Sequence, residues 1–60
     1  MQKYAVYFEG DFQAEFDSLE EALQYMKRDI EGMASFYGHS LKWIKSHFTW
    51  SVEVMDYGES

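Results

Sequence analysis

Four carboxylates sit close together near the start of this 60-residue chain: Glu9, Asp11, Glu15 and Asp17. Two carboxylates facing each other across a cleft can run acid–base hydrolysis. Here the four fall on a turn and on the outward side of a two-stranded ribbon, where a solvated or partner-facing patch is expected instead. Such a patch can mimic the phosphate spacing of a nucleic acid and compete for a basic groove. His39 and His47 are eight residues apart, whereas two metal ligands on one helical face stand four apart. No third ligand lies in reach, so no metal is expected, and the two histidines read as exposed. No serine or threonine stands with a base at triad-like spacing. The glycines form no phosphate loop, and the residues call for no cofactor and no enzymatic activity.

What remains is aromatic. Tyr25, Phe36 and Trp43, spaced by eleven and seven, make a second stripe on a helical stretch that already carries a first. The first is Leu19, Leu23, Met26, Ile30, Met33, Tyr37, Leu41, Ile44 and Phe48, stepping by threes and fours. At about 100° per residue the second lies about 120° from it. One stripe closes a core. The second either widens that core or forms an exposed patch of the kind that marks interaction sites. Trp and Tyr are typical interface anchors, and Lys42 and Lys45 flank Trp43 as a polar rim would.

Composition narrows the classes. Sixty residues make one small domain that buries only ~60% of its unfolded surface. There is no cysteine to staple it, which fits a cytoplasmic setting, and aromatics make up 20% of the chain. The start, Met1-Gln2-Lys3-Tyr4, runs into alternating residues and not into a signal-peptide core. No apolar run approaches the ~20 residues of a membrane span. The net charge of −6 disfavours direct nucleic-acid binding. Glu9 to Glu21 holds six acids and no base, while Gly32 to Val52 holds no acid but has Lys42, Lys45, His39 and His47. The molecule should have an acidic end and a mildly basic one.

The elements follow. Tyr4–Phe8 and Phe12–Asp17 alternate as paired strands around Glu9-Gly10-Asp11. A three-residue loop pairs Phe8 with Phe12, Val6 with Ala14 and Tyr4 with Phe16, gathering the apolar side chains on one face. Ala5, Tyr7, Gln13, Glu15 and Asp17 then face water. Ser18-Leu19-Glu20-Glu21 is a capping box that starts a helix. A straight helix to Phe48 would be ~45 Å long over a ~20 Å strand, so a break is expected at Gly38-His39-Ser40, with a second helix over Leu41–His47. Phe48 to Met55 alternates as a third strand, with Trp50 in the core, and a tail at Gly58-Glu59-Ser60 should fray. The fold class expected is α+β: a three-stranded antiparallel sheet of order 2-1-3, one face under a long or broken helix, β-β-α-(α)-β.

Phe16-Asp17-Ser18-Leu19-Glu20-Glu21-Ala22-Leu23 resembles the strand-to-helix junction of HicB-type antitoxins, without the third strand that family places before its helix. Val6-Tyr7-Phe8-Glu9-Gly10-Asp11-Phe12, Lys42-Trp43-Ile44-Lys45 and Val52-Glu53-Val54 are similar to the Dmd-type antitoxins of T4-like phages. In fold and charge the chain also resembles small acidic phage inhibitors of host RNA polymerase and of uracil-DNA glycosylase. These resemblances imply a phage-type inhibitor that occludes a host protein, an enzyme or a toxin, in the host cytoplasm. The alternative is a structural or regulatory homodimer that uses Tyr25, Phe36 and Trp43 as its own interface.

Overall fold

The computed structural model describes residues 2–58, and Glu59 and Ser60 of the expected frayed tail lie outside them. The order is β1 (Gln2–Phe8), β2 (Asp11–Phe16), α1 (Leu19–Tyr37), α2 (Leu41–His47) and β3 (Trp50–Asp56). The sheet is antiparallel with β1 in the centre, in the order β2-β1-β3, as the alternation and crossover rules lead one to expect.

The helix boundaries arise locally. Ser18 takes an extended backbone and its Oγ accepts from the Glu21 amide at 3.2 Å. Gly38 ends α1 in the left-handed region at φ 72°, which glycine adopts without a Cβ clash. Ser40 then caps α2, its Oγ accepting from the Trp43 amide at 3.1 Å. The break therefore falls at Gly38–Ser40, and α2 covers the predicted Leu41–His47.

The hairpin differs from expectation. Tyr4 pairs with Phe16 and Val6 with Ala14, but beyond Val6 the register shifts, so that Tyr7 pairs with Phe12 and Phe8 with Asp11. The loop is thus the two residues Glu9-Gly10, both at positive φ (52° and 86°), the signature of a type I′ turn. Its twist matches that of the strands, and the extra residue of β2 is absorbed as a bulge around Gln13. The bulge turns Phe12 to the water side, 57% exposed, edge-on to Tyr7 with ring centres 5.9 Å apart.

The core takes only part of the predicted stripe, Ile30 and Ile44 with Met33 and Phe48 packed against them. Ala5, Val6, Ala22, Ile30, Ala34 and Ile44 are buried, whereas Leu19, Leu23, Tyr37 and Leu41 are exposed. α1 packs over β1 and β2. Its two alanines let it approach closely, while the leucine flank overhangs a sheet only three strands wide, each strand adding about 4.8 Å. The consequence is an extended molecule, 47 × 18 × 14 Å, with a radius of gyration of 13.0 Å. A compact chain of this length would have about 10 Å. Trp50 ties the β3 side of the sheet to α1, its Nε1 donating to Asp29 Oδ2 at 2.8 Å.

Candidate functional site

The sheet has two unlike faces. The even-numbered residues of β1 and β3, with Phe16 of β2, meet the helices: Phe16 packs on Tyr25 with ring centres 5.4 Å apart, and Phe8 on Phe48 at 5.8 Å. The odd-numbered residues carry no helix. On that open face Tyr7, Phe12, Glu15, Asp17 and Glu53 lie together with Lys3, joined by Tyr57 from the chain end. Tyr57 Oη donates to Glu15 Oε2 at 2.8 Å, and Lys3 Nζ donates to Asp17 Oδ1. Ala5 sits between Glu15 and Glu53 in register and is 1% exposed beneath this layer.

The electrostatics of the layer have one direction. The Lys3 ammonium is held protonated above its ordinary value of 10.5 by the hydrogen bond to Asp17 and by the charge of that carboxylate. The Tyr57 phenol is raised above 10.0, first by its bond to Glu15, and Tyr7 is raised by desolvation and then by a bond to Glu53. A group whose pKa is raised by folding contributes stability that is complete below its unfolded value and lost as pH climbs through the folded one. The melting temperature should therefore fall on the alkaline side, from about pH 10 upward, and Tyr57→Phe should flatten that fall in circular-dichroism melts. A profile unchanged by Tyr57→Phe would mean that the bond to Glu15 adds nothing.

The four carboxylates read from the sequence do not stay together. Glu15 and Asp17 belong to the open face. Glu9 instead joins the hairpin to the loop before β3: its amide donates to the Thr49 carbonyl at 2.8 Å, and its Oε2 accepts from the Thr49 amide at 2.6 Å. Asp11 offers its backbone carbonyl to Gln13 Nε2 at 3.1 Å.

The aromatic stripe is likewise divided. Tyr25 is half-buried against Phe16, Phe36 is 82% exposed, and Trp43 is half-buried against Ile30, Ala34 and Ile44. Among the described residues no ring contact joins any two of the three. Trp43 lies between His39 and His47, its ring near-parallel to both, with centres 3.7 and 3.9 Å away. The eight-residue spacing that separates two metal ligands places two rings on opposite sides of one indole. His47 Nδ1 is further held 2.9 Å from the Trp43 carbonyl. Lys42 and Lys45 lie exposed on the same short helix. Among the described residues no group of three His, Cys, Asp or Glu is placed to hold a metal ion. No described helix is long and apolar enough to cross a membrane.

An open groove of about 590 Å³ runs where α1, α2 and the start of β3 meet, lined by Leu23, Met26, Ile30, Leu41, Phe48 and Trp50, with Lys27, Glu31 and Lys45 adding charge. Most of its lining is apolar, which suits contact with apolar surface.

Two features escaped the sequence reading. Tyr57 had a signal that could have found it, since it continues the alternation of Ser51, Glu53 and Met55 by one step. The bond between Asp29 and Trp50 left no local signal. No family model, curated protein or solved structure matches the chain.

Proposed function

We propose that this chain is a protein-binding module of the phage-inhibitor type, which occupies a basic functional groove on a host protein in the cytoplasm and blocks it without chemistry of its own. The observation that supports this most is the open sheet face. Aromatic side chains, Tyr7, Phe12 and Tyr57, stand among Glu15, Asp17 and Glu53 on a flat surface that neither helix covers. Aromatic rings give contact area, and arginine or lysine of a partner can lie over their faces while the carboxylates pair with the charge. The net charge of −6 would speed encounter with a positive surface. Phe36, exposed at the other end of α1, and Trp43 with Lys42 and Lys45 offer further contacts for a partner that wraps the molecule.

The test is capture from a bacterial lysate with the tagged chain, alongside Glu15→Lys/Glu53→Lys. The wild type should retain one stoichiometric host protein and inhibit its activity when added back. The charge-reversed variant, checked for folding by circular dichroism, should lose ~10-fold or more in affinity at low salt and less at high salt. Retention that ignores the reversal, or a captured protein that keeps its full activity, would overturn the reading.

A further inference from the structure

The two edges of the sheet are unlike. The free edge of β2 is bulged around Gln13 and carries Asp11, Glu15 and Asp17, devices that deter another strand from pairing. The free edge of β3 is regular. The Glu9 amide bonds the Thr49 carbonyl, and this pair continues the ladder of Tyr7 with Ser51 and Ala5 with Glu53. Bonded and non-bonded pairs alternate in an antiparallel ladder, so the odd residues of β3 spend their amides and carbonyls on β1. Those of Trp50, Val52 and Val54 point outward. On the helix side the same edge is apolar: Val54 is 55% exposed, and Leu23, 50% exposed, lies in the groove that Trp50 closes.

We propose that the free edge of β3, with the apolar groove beside it, is a two-fold interface with a second copy of this chain. Self-pairing fits the sequence of the strand. Antiparallel partners point to the same face, so keeping both helices on one side requires even residues opposite even ones. With Val52 opposite its own counterpart, Trp50 meets Val54 and Ser51 meets Glu53. A two-residue shift one way sets Glu53 against Glu53, which is unfavourable, and a two-residue shift the other way leaves only Trp50 to Val52 of the strand paired. The charges favour the same arrangement. Antiparallel copies direct the acidic start of α1, with Asp17, Glu20 and Glu21, toward the half of the other copy where Lys27, Arg28, Lys42 and Lys45 outnumber Asp29 and Glu31. Joining two such sheets would also bury the overhanging leucine flank that α1 leaves uncovered.

The edge borders the open face at Ser51 and Glu53, but its outward backbone groups and its apolar groove take no part in the inhibitor reading, so the two can fail independently. Sedimentation equilibrium from micromolar to millimolar concentration should show twice the 7.2 kDa monomer mass at the upper end. Val54→Pro removes an outward amide and none that bonds β1, a placement edge strands tolerate. It should leave a folded monomer. Ser51→Lys sets a lysine against Glu53 of the other copy at two symmetric places, and should tighten dimerisation several-fold, an effect that high salt removes. A monomer at every concentration overturns the proposal and leaves the edge to a strand of another protein. So does a dimer indifferent to Val54→Pro. If Val54→Pro does not fold, Ser51→Lys decides, since a gain in affinity cannot come from unfolding and its absence refutes the pairing.

Discussion

Ile44→Ala should unfold this domain or bring it to the edge of unfolding. Ile44 is 0% exposed and is, with Val6, one of the two largest fully buried side chains. It seats α2 on Ile30 and Ala34 of α1, with Met33, Trp43, Phe48 and Trp50 packed around them. Truncating a buried isoleucine to alanine costs ~2–5 kcal/mol, through lost transfer free energy and the cavity left behind. A chain of 60 residues has roughly 3–9 kcal/mol in total, taking about 0.05–0.15 kcal/mol per residue. The loss is thus comparable with the whole stability. Ile44→Val, at ~0.5–1.5 kcal/mol, should stay folded with a lower urea midpoint. If Ile44→Ala melts like the wild type, α2 is not part of the cooperative unit.

The second large effect is expected at Trp50, where two contributions can be separated. Its ring packs 5.0 Å from that of Phe8 and 6.3 Å from that of Phe48, and its Nε1 bonds Asp29. Trp50→Ala removes both contributions and should cost ~3–5 kcal/mol. The residue is only half-buried, which favours the lower end of that range. Trp50→Phe keeps most of the packing and removes the donor. Its cost of ~1–3 kcal/mol would report the hydrogen bond to a charged acceptor, and Asp29→Ala should cost a similar amount. The pair forms the link between α1 and β3, so the double variant should cost less than the sum of the singles. Strict additivity in denaturant titrations would show that the bond does not couple the two elements.

Local rules and long-range packing divide the molecule between them. Wherever a decision rests on a few consecutive residues, it could be read directly. Ser18 and Ser40 cap the two helices, Gly38 separates them, and alternation marks the strands. The strand order followed from one right-handed crossover. The turn was misplaced because Glu9 takes a positive φ that its residue type does not announce. The bulge around Gln13 then repairs the register, and only the paired strand reveals it.

The candidate site divides in the same way. The sequence alone determined that an acidic, aromatic-rich, cysteine-free domain would present carboxylates of β2 on an uncovered sheet face, because side-chain alternation is a property of each strand by itself. Only the tertiary structure decided which aromatics remain exposed. Periodicity gives the angle of a side chain about its own helix and not the position of that helix over the sheet. Three strands are too narrow to cover the whole apolar flank of α1, so the helix settled on Ala22 and Ala34, Tyr25 turned inward onto Phe16, and Leu23 was left beside a free strand edge.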